Sequence, residues 1–175
     1  MHLVAMNLHS FLALSMLLAC HVLQAQTPST TTKPPLMAML KLDDLVRQGS
    51  APESTVSSRW QQVTDFLEGE KIKASYGILC DSLEGDCPGY AAWLKKLVAN
   101  GWIELWHHGY YRRLLPEEMK INGRTAEYLG GTVEDQAAMF RKSLALVKEK
   151  VGVDMIAFGP HSTAIDCTTY QALEH

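Results

Sequence analysis

The sequence predicts an α/β fold in which parallel strands alternate with helices, and three observations support it. Short apolar runs of strand length are spread along the chain, and longer segments with apolar residues at helical spacing lie between them. Turn residues such as Gly49, Gly69 and Gly101 separate these segments. The alternation is typical of a parallel sheet with right-handed crossovers. Four strands are too few to close a barrel of about eight, so we expect either an open sheet or an incomplete (β/α) barrel.

The first strand and helix lie near the start of the predicted domain. Residues 36–42 are almost all apolar, which predicts a strand buried on both faces. In the loop that follows, either Ser50 or Ser54 is expected to cap the next helix. Apolar residues recur at helical spacing over residues 56–67, and Gly69 is expected to end this helix.

The second strand and helix repeat the same arrangement. Residues 73–80 form another apolar run and predict the second strand. Pro88 suits the first turn of a helix, and Asn100–Gly101 are expected to stop it. The third strand is predicted at residues 103–106.

The last third of the chain begins with a long segment of mixed polarity, residues 110–131, as is typical of functional or disordered loops. A capped helix is predicted from Thr132 to Gly152. Residues 154–158 predict the fourth strand, and a short helix over residues 168–174 is expected, with Asp166 as its cap.

The N-terminal residues predict export. An apolar run at residues 11–20 has the length of a signal peptide and is too short to span a bilayer, so we expect no integral membrane segment in the mature chain. Ala25 is a suitable cleavage point, while the absence of Lys and Arg from the first ten residues favours the alternative of an uncleaved or mis-started N-terminus. Cleavage before Cys20, with lipid attached to that residue, is the less favoured form of export. We expect a secreted or periplasmic protein.

The predicted domain organisation has three parts. A Pro- and Thr-rich segment of linker composition separates the signal peptide from the folded domain. The 175-residue chain is 47% hydrophobic and carries a net charge of −3, which fits one globular domain and gives no indication of a nucleic-acid partner. The three parts are a signal peptide at residues 1–26, a linker at 27–35 and a domain at 36–175.

The cysteines leave two interpretations open. Cys80 and Cys87 lie close together around Gly85, so in an oxidising compartment they either form a disulfide or remain two unpaired thiols. Cys167 has no obvious partner. Because the sequence contains no C-x-x-C pair, a cysteine-based zinc site is not expected.

Polar side chains follow three of the predicted strands. Asp43 and Asp44 follow the first strand, His108 the third and His161 the fourth. Since the carboxyl ends of parallel strands share one rim of a sheet, these side chains are expected to lie together. Carboxylate and imidazole form a suitable ligand set for Zn²⁺ or a similar divalent ion. Neighbouring strand residues point to opposite faces, so His107 and His108 cannot both face this site unless the strand ends between them.

Three of these strand ends together resemble a known family. The Asp-Asp pair at 43–44, the His-Gly-Tyr run at 108–110 and the Phe-Gly-Pro run at 158–160 are similar to motifs of the polysaccharide deacetylase (NodB-like) superfamily. Residues 127–136 also resemble the segment that follows the His motif in some members. The resemblance covers residues 36 to the C-terminus and implies a partial, distorted (β/α) barrel, with the later motifs of the family expected beyond residue 175.

The resemblance also implies roles for individual residues. Asp43 matches the catalytic base of the family, Asp44 its metal-binding aspartate and His108 the first histidine of its H-x-x-x-H motif. The second histidine of that motif falls on Arg112, whose guanidinium has no lone pair to give to a metal. Trp106 and Tyr110 are candidates for stacking on sugar rings, although aromatic residues near strand ends usually pack inside the protein. His161 is expected either to bind substrate or to lie in a loop.

The function implied by the family is metal-dependent hydrolysis, in which acetyl groups bound through nitrogen or oxygen are removed from a carbohydrate. The expected cofactor is a divalent metal ion, with Zn²⁺ as the first candidate. Arg112 argues against metal binding, because it replaces a ligand histidine of the family. The alternative is a catalytically degraded or truncated relative that only binds glycan or has no activity. A hydrolase for another substrate, such as a phosphoester, would use the same ligands, and the fold does not distinguish these classes.

Overall fold

The computed structural model describes residues 38–111 and 126–174. The predicted signal peptide and linker and the departure from the family motif at Arg112 lie outside these ranges. The elements are β1 (Leu40–Leu45), α1 (Ser58–Gly69), β2 (Ala74–Leu79), α2 (Pro88–Ala99), β3 (Ile103–Gly109), α3 (Val133–Val151) and α4 (Cys167–Ala172), with 3₁₀ turns at Cys80–Leu83 and His161–Thr163. Within the described ranges, no helix has both the length and the apolar character needed to cross a membrane.

The strands form one parallel three-stranded sheet in the order β1-β2-β3. Tyr76 in the central strand pairs with Leu42 on one side and with Leu105 on the other. Helices follow β1 and β2 along the chain, and α1 packs on the sheet through the Trp60 and Tyr76 rings, whose centroids lie 5.0 Å apart. The prediction of an α/β fold with parallel strands alternating with helices is confirmed.

The fourth predicted strand, at residues 154–158, is reduced to a single parallel bridge between Phe158 and His107. The His107 N–H donates to Ala157 O at 2.9 Å, and the Gly159 N–H donates to His107 O at 3.0 Å. The next carbonyl, Gly159 O, lies 2.7 Å from the ring Nδ1 of His108. Beyond this bridge, the hydrogen bond to Gly159 O comes from a side chain and not from a further backbone N–H of a ladder.

The first strand is also more exposed than its apolar sequence predicts. Burial on both faces was expected, but Met39 is 84% exposed and Leu40 is 40% exposed, whereas Leu45 is fully buried. The reason is the position of β1, which within the described residues pairs only with β2 and forms an edge of the sheet. Hydropathy alone does not distinguish an edge strand from a central one.

Helix ends follow side-chain caps, with one correction. Helix α1 is capped by Ser57, whose Oγ accepts the Trp60 N–H at 3.3 Å, and not by Ser50 or Ser54. Ser54 instead closes the preceding loop, where its N–H donates to Ala51 O. The other predicted ends agree with the structure: Pro88 begins α2, Thr132 forms a capping box, Gly152 ends α3 in the left-handed region and Asp166 caps α4.

The two neighbouring cysteines are free thiols in the structure. Cys80 and Cys87 are both buried, and the Cys87 thiol donates to Leu83 O at 3.3 Å. Burial raises the pKa of the Cys80 thiol, which makes it a poor nucleophile. Both residues therefore pack as small apolar side chains in the core.

Asp166 gives a prediction about acid stability. Its carboxylate accepts the Gly130 N–H at 2.6 Å and the Thr169 N–H at 3.2 Å, and these bonds, with Gly130 the larger contributor, lower the pKa of Asp166. A carboxyl group with a lowered folded pKa stabilises the fold above its unfolded pKa of about 3.9, and this stabilisation is lost as the pH falls through the folded pKa. Asp166→Asn is therefore expected to lower the melting temperature at pH 7, by an amount that shrinks towards pH 3.

Melting curves of the wild type and Asp166→Asn at pH 7 and pH 3 measure this difference. Asp154→Asn is the control for general charge effects, because Asp154 is exposed and its ion pair with Lys148 lies at the surface. An Asp166→Asn deficit of equal size at both pH values would show that the pKa of Asp166 does not contribute to acid stability.

Candidate metal centre

Strand β3 carries two adjacent histidines to opposite faces of the sheet. The sequence predicted that the strand ends at Trp106, but it continues to Gly109, with a register shift that leaves His108 unpaired with β2. The His108 ring packs against Trp106, two residues earlier on the same face, and the His107 ring lies on the other face. His107 lies against the Tyr128, Phe140 and Phe158 rings, with centroid distances of 5.4–5.9 Å. Burial, with a smaller contribution from His108, lowers the pKa of His107 to about 3. His107 is therefore a neutral core residue on the face opposite to the candidate site.

His108 is held in one tautomer by a backbone carbonyl. The ring is 4% exposed, and its Nδ1 lies 2.7 Å from Gly159 O. Since a carbonyl only accepts hydrogen bonds, Nδ1 carries the proton and donates it, which in the neutral ring leaves the Nε2 lone pair free. Metal-binding histidines are usually oriented in this way by a carbonyl or carboxylate on the other nitrogen.

Asp44 is turned towards His108 by an irregularity at the end of β1. The register between β1 and β2 shifts between Leu42 and Leu45, and Asp44 has a φ of 64° in the left-handed region. Aspartate adopts this region more readily than most residues, although left-handed backbone in a non-glycine residue costs of order 1–3 kcal/mol. Asp44 Oδ1 lies 3.4 Å from His108 Nε2.

His161 approaches the same carboxylate from the loop after the Phe158 bridge. It begins the 3₁₀ turn His161–Thr163, in which Ser162 and Thr163 both have positive φ. Its Nε2 lies 3.4 Å from Asp44 Oδ1, and its ring centroid lies 5.3 Å from that of His108. The sequence assigned His161 to substrate binding or a loop; the structure places it beside two predicted metal ligands. The signal for this position was that His161 follows the fourth predicted strand and so belongs to the same rim.

The three ligand atoms fit a divalent ion. Asp44 Oδ1, His108 Nε2 and His161 Nε2 all lie within 4.8 Å of one another. Ligands about 2.0–2.1 Å from a tetrahedral Zn²⁺ are separated by about 3.3 Å, which is close to the two 3.4 Å distances to Asp44. Two imidazoles and one carboxylate, with a coordination position left open, are a ligand set found in catalytic sites. In the family pattern a second histidine ligand would stand where this chain has Arg112. His161 offers an imidazole ligand from a different part of the chain.

Asp43 lies apart from this cluster. Its Oδ1 is 3.0 Å from Lys41 Nζ, and its side chain is 46% exposed. The Lys41 ammonium also lies 4.2 Å from the centroid of the Trp106 ring, so the lysine links the acid to the indole. The two carboxylates of the Asp43–Asp44 pair have diverged, and only Asp44 meets the histidines.

The two aromatic candidates for sugar stacking are buried. Trp106 is 3% exposed, and its ring packs edge-on against His108 and directly over Gly77 and Gly159. Tyr110 is fully buried, and its hydroxyl donates to the Glu84 carboxylate. Neither ring offers an exposed face, so the contacts described are packing contacts. Sugar binding by Trp106 and Tyr110 remains a prediction.

Glu127 supports the backbone at the end of β3, after His108. Glu127 is half-buried, and its carboxylate accepts the N–H groups of Tyr110 at 2.6 Å and Tyr111 at 3.2 Å. These residues follow Gly109, whose φ of 134° turns the chain out of β3. Glu127 thus fixes the backbone at the exit from β3, directly beside His108.

Comparison with known proteins gives a fold but no family assignment. No family model and no curated protein matches the chain. Among solved structures, the CE4 domain of a multidomain xylanase from the hindgut metagenome of Trinervitermes trinervoides matches with a TM-score of 0.53 and 21% identity, over 77% of this chain and 53% of that one. An acetyl xylan esterase of family 4 from Clostridium thermocellum, in complex with a cobalt ion, matches with a TM-score of 0.52 and 13% identity, over 77% and 54%.

A CE4 family pseudoenzyme from Bacillus anthracis also matches, with a TM-score of 0.52 and 11% identity, over 78% of this chain and 40% of that one. The chain thus spans about half the length, or less, of these three structures. The similarity shows that the described residues share part of the fold of these CE4 and family 4 esterase structures, in agreement with the fold that the motif resemblance implied. The same fold is present in active enzymes and in a pseudoenzyme, so the site must carry the argument about function.

Proposed function

From this fold and the Asp44–His108–His161 cluster, we propose that the protein is a metal-dependent hydrolase that removes acetyl groups from a carbohydrate. The observation that carries the proposal is that two imidazole nitrogens converge on one oxygen of Asp44, each at 3.4 Å. The hydrogen bond from Nδ1 leaves His108 Nε2 as an acceptor, so it does not donate to Asp44 in the neutral state. A shared cation would be bound by His108 Nε2 and Asp44 Oδ1 together, and by His161 Nε2 in the tautomer that carries its proton on Nδ1.

The ligands proposed for the ion are Asp44, His108 and His161. When bound, a divalent ion such as Zn²⁺ would supply Lewis acidity and lower the pKa of a coordinated water towards about 7. Gly159 orients His108, and Glu127 holds the backbone that follows it, so the nitrogen that faces Asp44 is fixed before any substrate arrives. Such pre-organisation is what a metal-assisted hydrolytic site requires.

Asp43 is the proposed general base. It is adjacent to a proposed metal ligand but is not one of the three clustered ligand residues, so it is not occupied as a ligand itself. The contact with Lys41 holds one carboxylate oxygen, while the half-exposed side chain leaves the other accessible to a water molecule or to substrate. In this proposal the base accepts the proton of the attacking water.

The test is acetate release by the purified chain from acetylated xylo-oligosaccharides and chito-oligosaccharides. We expect activity that a chelator abolishes and that added Zn²⁺ or Co²⁺ restores. Heat-treated chain and metal without protein are the controls for chemical hydrolysis. If the metal-loaded, folded chain releases no acetate from any acetylated glycan, the catalytic proposal is wrong.

A second candidate is a glycan-binding relative without catalysis, and the Lys41–Asp43 ion pair favours it. A base held by a lysine is less available to take a proton, and the pseudoenzyme from Bacillus anthracis shows that this fold exists without activity. Binding of one metal ion and of oligosaccharide, with no release of acetate, would support this candidate. Activity that depends on Asp43 would exclude it.

We propose further that the folded domain comprises residues 36–175 and acts outside the cytoplasm after export through residues 1–26. The apolar run at 11–20 and the polar segment at 27–35 support this organisation. Mass spectrometry of the mature N-terminus after expression of the full chain in a bacterium tests it. A new N-terminus after Ala25 supports cleavage by a signal peptidase, a lipid-modified Cys20 supports anchoring, and an intact Met1 in the cytoplasm contradicts export.

A further inference from the structure

We propose that a cavity beside Asp43 binds a carboxylate-bearing sugar unit, with Arg59 as the residue that recognises its carboxylate. The assignment of this cavity to the substrate rests on the proposed function, since it places an acidic sugar next to the acetylated one. The shape, the charges and the aromatic surface of the cavity determine the class of ligand that fits it.

The cavity lies between the edge of β1 and the first turns of α1, and its volume is about 380 Å³. This volume falls within the range of about 300–1,000 Å³ that is typical of small-molecule sites. Asp43 lines the cavity, and the next residue, Asp44, belongs to the metal cluster, with Cα atoms about 3.8 Å apart. The lining residues are Lys41, Leu42, Asp43, Arg59, Trp60 and Val63.

Among the residues that the structure describes, one positive charge of the cavity, that of Arg59, has no partner. Lys41 and Asp43 form an ion pair with each other at 3.0 Å. Arg59 makes no hydrogen bond or ion pair with any residue in the described parts of the chain, and its side chain is exposed at the cavity wall. The chain as a whole is not basic, since its net charge is −3. The guanidinium of Arg59 at the cavity wall is therefore not explained by a generally basic surface.

The position of Arg59 in its helix strengthens the preference for an anion. Arg59 lies in the first turn of α1, which contains no acidic residue. The N-terminus of a helix carries a partial positive charge, so a cation there is unfavourable and a bound anion is favourable. The guanidinium and the helix therefore act in the same direction, and a guanidinium recognises a planar carboxylate through paired N–H donors.

Trp60 makes a sugar the fitting carrier for that carboxylate. Its ring makes an edge-type contact with the Tyr76 ring, and the half-buried residue lines the cavity together with Arg59. An aromatic ring next to a guanidinium offers a stacking surface and a charged hydrogen-bond donor to one ligand. The Asp43 carboxylate on the same wall favours a singly charged group over a phosphate, because a second negative charge would be repelled more strongly.

Binding of two matched disaccharides to the metal-free full-length chain tests the proposal. One contains glucuronic acid and N-acetylglucosamine, and the other is its methyl ester, which has the same shape without the charge. We expect titration calorimetry to show at least tenfold tighter binding of the acid. Arg59→Gln is expected to remove the difference, and Arg59→Lys to keep part of it. Arg141→Gln is the control, since Arg141 is paired with Glu134 on an unrelated surface.

Equal binding of acid and ester by the wild type, or no binding of either, would overturn the inference. A disaccharide with glucose 6-phosphate in place of glucuronic acid is expected to bind more weakly than the acid, and equal or tighter binding would overturn the carboxylate assignment. The titration needs neither metal nor turnover, so it is independent of the acetate assay. If the chain prefers the acid but releases no acetate, the hydrolase proposal is rejected and the assignment of the cavity stands. If acetate is released, Arg59→Gln is expected to raise KM for the acidic substrate about tenfold with kcat unchanged.

Discussion

Asp44→Asn is expected to abolish both metal binding and acetate release, whereas Asp43→Asn is expected to abolish only acetate release. Asp44 supplies the oxygen that lies 3.4 Å from each of the two imidazole nitrogens. Its replacement by asparagine therefore removes the negative charge from the centre of the cluster. Loss of a hydrogen-bonding partner of a ligand typically reduces metal affinity by about 10–100-fold, and loss of the ligand itself is expected to exceed that.

Asp43 differs because it contacts Lys41 and is not part of the cluster. Loss of a general base typically lowers the rate by about 10²–10⁴-fold, so we expect a fall of that size in kcat with unchanged Zn²⁺ affinity. Titration calorimetry with Zn²⁺ and an acetate assay on both variants measure the two effects. The two variants are controls for each other, because both replace an aspartate by the isosteric asparagine at neighbouring positions. A general loss of stability would affect Zn²⁺ affinity in both variants alike. A loss of Zn²⁺ affinity in Asp43→Asn, or normal affinity in Asp44→Asn, would contradict the assigned roles.

Gly77→Ala is expected to produce the largest loss of stability among single methyl additions in the sheet. Gly77 lies in the central strand, and a Cβ at this position would lie only 2.4–2.9 Å from three atoms of the Trp106 ring. The indole cannot move away freely, because Gly159 packs on its other side, where a Cβ would lie 2.7 Å from the ring. Overpacking of this kind typically costs about 1–3 kcal/mol, since it forces backbone shifts or strained rotamers.

Urea unfolding of Gly77→Ala measures this loss, and Gly69→Ala is the matched control. Gly69 lies at the end of α1, and a Cβ there would meet no atom within 4 Å. Alanine is a better helix former than glycine, so Gly69→Ala is expected to be neutral or slightly stabilising. Trp106→Phe in the Gly77→Ala background is expected to recover part of the loss, because the smaller ring leaves room for the methyl group. A stable Gly77→Ala single variant would show that the Trp106 ring is not confined as described.

Most of the fold follows from local sequence patterns, which is why it was predictable. Pro88, Gly152 and the capping residues of α3 and α4 act through bonds to their own neighbours, and such signals are visible in the sequence. The errors concern features that depend on distant segments. The exposure of β1 depends on how many strands flank it, and the reduced fourth strand depends on how far residues 154–158 follow β3.

The candidate residues of the site were visible in the sequence, but which of their side chains meet was not. The strand ends drew attention to Asp44, His108 and His161, and the structure brings these three side chains together. The left-handed backbone of Asp44 and the turn that carries His161 were not visible in the sequence, and these two features decide which side chains meet. The divergence of Asp43 towards Lys41 likewise depends on the register shift in β1.

X-ray absorption spectroscopy of the Zn²⁺-loaded, full-length chain tests the central claim most directly, namely that Asp44, His108 and His161 share one ion. The expected result is one tightly bound Zn²⁺ per chain, with two imidazole nitrogens and at least one carboxylate oxygen at about 2.0–2.2 Å. The signal from one of the imidazoles should disappear in His161→Ala. A spectrum with fewer than two imidazoles in the wild type, or a spectrum unchanged by His161→Ala, would contradict the proposed site.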